Sequence, residues 1–380
     1  MKTVLFITSS KMNNWKGTER FIYYLSSQLT KLDIRTVIME NSKSSFNEPE
    51  ITFNMTQNIE IVSVPFNKIF GIYLPPRNEI RRINPDAVYV SFLNSMPLVP
   101  DYGYTTIFGM HIIHLGHLKY ERRKKIIFSL KREILRLIST FFWKNKKIIF
   151  HSLTKEQADW INKLTKAKYN SATIPLIIPC CKNYKIKKAY DRFSILFFGS
   201  LSHEKGFDKF LILLERINRS AIAKSVKFTI AGAGVMEIKL RQMMDTYSNI
   251  EFIKRPDDDI KHTLFGKVDL FLYPSLTDVY PTVLAETQMF GIPAIASDVS
   301  SPSCILKNGE TGYFIPLNDL DSFIKRTEQY YYLWKNDTEG YEKMKEHIRE
   351  LSHRLCSDNV VPIYIDMFKK ILDGGYAKDL

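Results

Sequence analysis

The first half of the chain alternates short apolar runs with stretches of helical spacing. The runs are "TVLFIT" (3–8), "IRTVIM" (34–39), "IEIVSV" (59–64), "DAVYVSF" (86–92), "YTTIFGM" (104–110) and "KIIFHS" (147–152). Most are nearly continuously apolar, which is how strands buried on both faces read. Between them "ERFIYYLSSQL" (19–29) and "TKEQADWINKL" (154–164) place apolar residues three and four apart, and a further helix is expected over 119–143. Strands separated by helices predict a parallel sheet covered on both faces.

Residues 169–192, "YNSATIPLIIPCCKNYKIKKAYDR", break this rhythm with two prolines and a basic run, and are expected to form a linker. The alternation then restarts. "FSILFFG" (193–199) leads to a helix over 205–217, and "VKFTIAGAG" (226–234) to one over 235–244. "IEFIK" (250–254), "VDLFLYPS" (268–275) and "IPAIASD" (292–298) complete the strands, and tail helices follow over about 318–334, 338–355 and 360–372. The expected architecture is α/β, with two Rossmann-like domains facing a cleft. They span 1–180 and 190–357, with a C-terminal helix in 358–380.

Composition adds bounds. A chain of 380 residues is comfortable for two domains, and 45% hydrophobic with 25% charged residues describes a soluble globular protein. No apolar run approaches the roughly 18 residues that span a bilayer, and the apolar core of "MKTVLFITSS" is too short for a signal peptide. Cys180, Cys181, Cys304 and Cys356 form no C-x-x-C pair. Neither a zinc site nor a disulfide framework is expected, and a reducing cytosol is the default.

Charge is unevenly spread. The net charge is +14, of which residues 1–168 hold +13, from 26 basic and 13 acidic residues. Residues 119–147 alone carry 11 basic and 2 acidic groups. On a helix, Ile127, Leu130, Ile134, Leu137 and Phe141 form one apolar stripe. The other side carries Lys124, Lys125, Lys131, Arg132 and Arg136, interleaved with Phe128, Leu135 and Phe142. A basic face with apolar plugs suits an anionic membrane surface, the plain alternative being that Phe128, Leu135 and Phe142 pack under a neighbouring loop. No nucleic-acid recognition motif accompanies it.

In open parallel sheets ligands bind outside the carboxyl ends of the strands, and the candidate loops lie there. "TSSKMNNWKGTER" (8–20) follows the first strand, and Gly17 opens a helix where backbone can approach an anion. In "FGSLSHEKGFD" (198–208) Lys205 and Gly206 stand at the next helix start, an arrangement suited to phosphate. "AGAG" (231–234) is too short for a dinucleotide loop. In "TDVYPTVLAETQMFGIPAIASD" (277–298), Asp278 precedes a helix begun by Pro281 and Thr282, and Glu286 falls about one turn in. Two acids around an anion-binding helix start fit a phosphorylated polyol such as a nucleotide sugar. The plain alternative has Asp278 as a helix cap and Glu286 as a surface acid.

Residues 193–316 resemble the retaining glycosyltransferases of family 4, which have the GT-B fold. The resemblance rests on "YPSLTDVYPTVLAETQMFGIPAIASD", "NGETGYFIPLND" (308–319) and "GSLSHEKGFD", which match the family's E-x7-E segment and its upstream K-G in order and spacing. "KGTER" stands more loosely for its N-terminal glycine loop, and the last helix for the tail that crosses back onto the first domain. The resemblance implies that Glu286 binds ribose hydroxyls, that Asp278 meets the donor sugar, and that Tyr280, Pro281 and Thr282 cradle sugar and diphosphate. It implies Lys205 as the cation at the departing diphosphate. The base is expected near Lys254–Pro256, which includes Arg255. His111 is implied as the first-domain histidine near the reacting carbon, with His114 and His117 as competitors.

Three positions depart from the pattern. Ser200 replaces an arginine in the donor set, Asp278 replaces a glutamate, and Val279 replaces a glycine. A different donor, compensation by Lys11 or Lys16, or weak activity would each account for them. The expectation is a retaining hexosyltransferase using a nucleotide-diphosphate sugar, with no metal or other cofactor. Its acceptor would be a lipid-linked or polysaccharide precursor at the cytoplasmic membrane face, with Lys124, Lys125, Phe128, Lys131, Arg132 and Leu135 at the membrane. The alternatives are a nucleotide-sugar epimerase of similar fold and a weakened basic membrane adaptor.

Overall fold

A computed structural model describes residues 1–14, 17–44, 59–69, 72–91, 104–111, 147–166, 169–180, 191–299 and 301–374. The helix expected over 119–143 lies outside them. So do His114, His117, Lys16 and the residues assigned to the membrane, Lys124, Lys125, Phe128, Lys131, Arg132 and Leu135. The chain divides into two compact units. One gathers the described residues up to Ile177 together with the terminal helix from Ser357, and the other runs from Ile178 to Cys356.

The first unit is built on seven parallel strands. They are β1 (Thr3–Thr8), β2 (Arg35–Asn41), β3 (Ile59–Val64), β6 (Ala87–Val90), β7 (Thr105–Gly109), β8 (Ile148–Ser152) and β9 (Asn170–Thr173), in the order β3-β2-β1-β6-β7-β8-β9. A small antiparallel hairpin, β4 (Asn67–Ile69) with β5 (Ile72–Leu74), stands apart. Helices α1 (Gly17–Thr30), α2 (Arg77–Ile83) and α3 (Lys155–Thr165) belong to this unit. Every residue of β1, β6 and β8 is buried, as near-continuous apolar runs require. The terminal helix α10 (Ser357–Leu372) buries Val360, Tyr364, Met367, Phe368 and Ile371, spaced three and four. Phe368 packs 6.0 Å from Phe6, and Tyr364 packs 5.2 Å from Phe21.

The second unit has six parallel strands. They are β10 (Phe193–Phe198), β11 (Val226–Gly232), β12 (Ile250–Lys254), β13 (Leu270–Tyr273), β14 (Ala294–Ser297) and β15 (Gly312–Ile315), ordered β12-β11-β10-β13-β14-β15. Its helices are α4 (Phe207–Asn218), α5 (Glu237–Thr246), α6 (Asp258–Phe265), α7 (Thr282–Met289), α8 (Leu320–Asn336) and α9 (Thr338–Ser352). Phe193, Ile195 and Phe197 alternate onto one face of β10, where they meet Phe210, Leu214 and Tyr341 in the core. The strand order reverses beside β1 in one unit and beside β10 in the other, and such switch points open a crevice at the strands' carboxyl ends.

Two expectations are corrected. The stretch read as a linker from 169 begins with β9, which extends the sheet by pairing with Ile149–Ser152. Its pairing is a backbone matter, so four residues of mixed polarity suffice at an edge. Cys180 and Cys356 are joined as a disulfide, 176 residues apart with Cα atoms 4.9 Å from each other. Sequence spacing gave no sign of it because tertiary structure alone brings the two together. No helix among the described residues is long and apolar enough to cross a membrane.

Candidate functional site

The switch point of the second unit lies between β10 and β13. The loop after β10 carries Gly199, an exposed Ser200 and the short 3-10 turn His203–Lys205, and the loop after β13 runs from Pro274 to Asp278. The two loops are stitched together: Leu276 N–H donates to Glu204 O at 3.0 Å, and Ser275 Oγ donates to the same oxygen at 3.3 Å. Gly206 makes this approach feasible. Its φ is +67°, and a Cβ there would stand 1.7 Å from Pro274 O. The glycine of the Lys-Gly pair is therefore a steric requirement of this junction as well as the N-cap of α4.

The junction brings Lys205 and Asp278 together, with Lys205 Nζ 2.5 Å from Asp278 Oδ2. The Tyr273 hydroxyl, at the last position of β13, donates to the same oxygen, and Val279 N–H donates to Oδ1 at 3.0 Å. Burial, and then the Asp278 charge, hold the Tyr273 phenol well above its ordinary pKa, so it stays a donor. The cap reading of Asp278 is thus replaced. The N-cap of α7 is Pro281, which makes no side-chain cap bond.

Glu286 is not a surface acid. It is 7% exposed, on the second turn of α7, and its carboxylate lies 3.0–3.1 Å from Lys261 Nζ. Lys261, itself 5% exposed on α6, also reaches Asp258 at 2.9 Å. A buried lysine between two acids keeps the net charge of the cluster low, which offsets part of the cost of burial. Tyr280 and Pro281 are buried and Thr282 is half-buried at the α7 start. Burial pushes the Tyr280 phenol up, and its hydroxyl has no hydrogen-bond partner among the described residues.

Arg255 follows β12 with a left-handed backbone, φ +48°, and its N–H donates to Gly232 O at 3.2 Å. Gly232 and Gly234 are packing glycines. A Cβ on either would collide with the backbone of Gly199 or Leu201, within 1.9 and 2.6 Å. Their glycine character thus serves the contact between the loops after β10 and β11.

In the first unit Gly17 is exposed at the first residue of α1, with open space where its Cβ would be. Glu19, one turn in, accepts from Ser10 Oγ, and Glu40 Oε2 accepts from Met12 N–H at 2.7 Å. His111 follows β7, is 8% exposed, and makes a 2.8 Å hydrogen bond from Nε2 to Tyr89 Oη. Burial, reinforced by His151 nearby, holds the His111 imidazole well below its ordinary pKa.

Tyr273, Lys261, Tyr89 and His151 were not singled out in the sequence. Lys261 did leave a signal. It shares a helix face with the buried Leu264 and Phe265, three and four residues on, where an unpaired lysine would be costly.

Both units are parallel α/β sheets with a ligand-type switch point. The fold is GT-B. The structure superposes on sucrose-phosphate synthase from Thermosynechococcus elongatus with a TM-score of 0.73, at 11% identity over 99% of this chain and 100% of that one. It superposes on Anabaena Alr3699/HepE in complex with UDP with a TM-score of 0.72, at 12% identity over 97% and 100%. Residues 183–351 of this GT-B chain match the family model described as Glycosyl transferases group 1. Among curated proteins the chain is similar to the UDP-Gal:alpha-D-GlcNAc-diphosphoundecaprenol alpha-1,3-galactosyltransferase of Escherichia coli, 34% identical over 111 residues, 28% of each chain. The chain spans between 28% and 56% of the length of the first curated relatives it matches.

Proposed function

We propose that this protein is a retaining glycosyltransferase of the family 4 type, a hexosyltransferase that moves a sugar from a nucleotide diphosphate to an acceptor hydroxyl. The observation that carries the reading is the Lys205–Asp278 pair at the carboxyl ends of β10 and β13. The ion pair holds an ammonium and a carboxylate beside the start of α7. The match to Glycosyl transferases group 1 and the names of its relatives support it.

In this reading the second unit binds the donor and the first binds the acceptor. Glu286, oriented by Lys261, accepts from the ribose hydroxyls. Asp278 meets the sugar, and the backbone of Tyr280, Pro281 and Thr282 cradles sugar and diphosphate. Arg255 stands beside the base. Ser200 is the second unit's further candidate for donor contact, and Gly17 and His111 are the first unit's candidates for substrate contact. Sugar transfer builds positive charge on the ring and negative charge on the leaving phosphate. Lys205 and the α7 N–H groups stabilise the leaving side, so the reading calls for no metal. The acceptor hydroxyl attacks the anomeric carbon from the face the diphosphate leaves. The C–O bond to phosphate breaks, a C–O bond to the acceptor forms with retention, and the acceptor proton passes to the departing phosphate oxygen.

The acceptor we propose is a lipid-linked or polysaccharide precursor at the cytoplasmic membrane face. The basic segment 119–147 supports this through its charge. The relative that acts on a diphosphoundecaprenol-linked sugar supports it through its name.

The test is a thermal-shift screen of uridine, guanosine, adenosine and thymidine diphosphate sugars, followed by transfer of labelled sugar to a lipid-linked acceptor on anionic vesicles. Saturation at 100 times Kd adds about 2.7 kcal/mol, or roughly 5–11 °C for a unit of this size. One donor should shift the melting temperature and label the lipid phase with its anomeric configuration retained. Donor turned over without any acceptor would indicate an epimerase. Vesicle binding with no donor response would indicate an adaptor. Turnover that EDTA abolishes would show a metal requirement.

A further inference from the structure

The carboxyl ends of β6, β7 and β8 enclose a buried chain of four polar rings: His111, Tyr89, His151 and Tyr364. Tyr89 and His151 are fully buried, and Tyr364 reaches them from the terminal helix. Tyr89 Oη lies 2.8 Å from His111 Nε2 and 2.6 Å from His151 Nδ1. His151 Nε2 lies 2.8 Å from Ile174 O and 2.9 Å from Tyr364 Oη, and Tyr364 Oη donates to Pro175 O at 2.8 Å.

Counting protons fixes every direction in this chain. Ile174 O can only accept, so His151 Nε2 carries a proton and donates. Burial holds the His151 pKa down to about 4, so the ring is neutral and Nδ1 is a lone pair. Tyr89 then spends its single proton on His151 Nδ1. Its oxygen is left to accept, and the partner in reach is His111 Nε2–H. His111, also kept neutral by burial, is therefore protonated on Nε2 and bare on Nδ1. That Nδ1 is buried and has no hydrogen-bond partner among the described residues. Gly109 completes the arrangement. A Cβ there would stand 2.4 Å from Tyr89 Oη and 2.6 Å from His111 Nε2, on the hydrogen bond itself.

We propose that Tyr89, His151 and Tyr364 are positioning residues that hold His111 as the neutral, Nε2-protonated tautomer, so that its Nδ1 lone pair, which no described residue engages, is the acceptor for one hydroxyl of the sugar substrate. The relay stands on its own geometry. Only the identity of the hydroxyl donor rests on the glycosyltransferase reading. The terminal helix then contributes to function through Tyr364, which gives its proton to Pro175 O and whose oxygen shares the His151 Nε2–H with Ile174 O. Tyr89→Phe would leave His111 Nε2–H without its acceptor, and the two tautomers would approach equal standing.

The experiment uses the full chain labelled with nitrogen-15 histidine, read at pH 7 by two-bond proton–nitrogen correlation, with turnover of the nucleotide sugar found in the thermal-shift screen. In the wild type His111 and His151 should both appear neutral and Nε2-protonated. Tyr89→Phe should shift His111 to a tautomer mixture. It should lower kcat at least about 5-fold, the scale of one lost neutral hydrogen bond, with the nucleotide KM unchanged. Tyr364→Phe should mix the tautomers less, and it serves as the second variant where Tyr89→Phe fails to fold. A wild-type His111 protonated on Nδ1 overturns the relay. So does a folded Tyr89→Phe protein with the wild-type tautomer and kcat. A wild type that shows the tautomers but turns over no nucleotide sugar refutes the glycosyltransferase reading and leaves the relay standing.

Discussion

Gly206→Ala tests whether the Lys205–Asp278 site depends on the close approach of two loops. Two costs can be worked from the structure. Gly206 has φ +67°, where an L-residue costs about 1–2 kcal/mol. The added Cβ would stand 1.7 Å from Pro274 O and 2.5 Å from Pro274 C. Carbon contacts are comfortable at roughly 3.5 Å, so the Pro274–Ser275 backbone must recede by roughly 1.5–2 Å. That backbone is tethered by Leu276 N–H to Glu204 O, by Ser275 Oγ to Thr277 O and by Ser297 Oγ to Ser275 O. Overpacking of this kind adds about 1–3 kcal/mol. The total of about 2–5 kcal/mol should lower the melting temperature by roughly 4–20 °C. Asp278 lies on the displaced loop, and a shift of about 1 Å at a reacting centre can cost about 100-fold in turnover. The control is Gly309→Ala, where φ is +82° but nothing lies within 4 Å of the new Cβ. It should show strain alone, at about 1–2 kcal/mol, with turnover kept. Scanning calorimetry and donor turnover read both variants. Equal melting losses, with Gly206→Ala turning over like the wild type, would refute the collision argument.

Other outcomes follow from the same site. Lys205→Ala should lower turnover about 100- to 1,000-fold while nucleoside affinity changes little, and unchanged turnover removes Lys205 from the mechanism. Glu286→Gln should weaken donor binding by about 1.5–3 kcal/mol by calorimetry, and equal affinity would exclude it as the ribose ligand. Asp278→Glu should lower activity, because the shorter acid fits the pair it makes; a large gain would show a degraded site. Asp269 is a separate, pH-linked case. Its Oδ2 accepts from Ser194 N–H at 2.8 Å, but burial pushes its carboxyl up to about 6. The folded pKa is thus raised above the unfolded value near 3.9. Its stabilising contribution is complete below about pH 4 and is lost as pH rises through 6, on the order of 3 kcal/mol in all. Asp269→Asn should remove that fall in urea unfolding between pH 4 and 6, and identical slopes in both proteins would refute the assignment.

The sheets were legible because most of their strands are buried on both faces, β3 and β12 at the edges being only half-buried. Strands such as β1 and β10 announce themselves by apolar runs that need no partner information. The Lys205–Gly206 pair and the Asp278-to-Glu286 spacing were legible because the chemistry of a strand end and a helix start is local. What the sequence hid depends on contacts between distant segments. Tyr364 meets His151 across 213 residues, and Cys180 meets Cys356 across 176. The strand β9 was read as linker because an edge strand can be held by backbone pairing to β8 alone. Tyr273 looked like one more apolar residue of "LFLYPS", and only the fold turns its hydroxyl onto Asp278.

The departures from the glycosyltransferase pattern are coupled to one another in the structure. Asp278 is one methylene shorter than the glutamate it replaces. Its carboxylate nevertheless accepts from Lys205, Tyr273 and the Val279 N–H, using both oxygens. Val279, in place of a glycine, is 6% exposed and so contributes buried apolar surface where the pattern has none. A carboxylate that survived only as a relic of lost catalysis would have no reason to be held by three donors. One of them is a buried phenol whose burial costs free energy unless its hydroxyl is bonded. Lys205, in turn, is held at the junction that Gly206 permits and is one-third exposed, so it remains able to exchange Asp278 for an entering anion. Ser200 leaves an exposed polar position just after β10. The shorter acid, the buried valine and the available lysine thus form one self-consistent arrangement. Under the proposed function, such an arrangement favours a site retuned to its donor over one that has decayed.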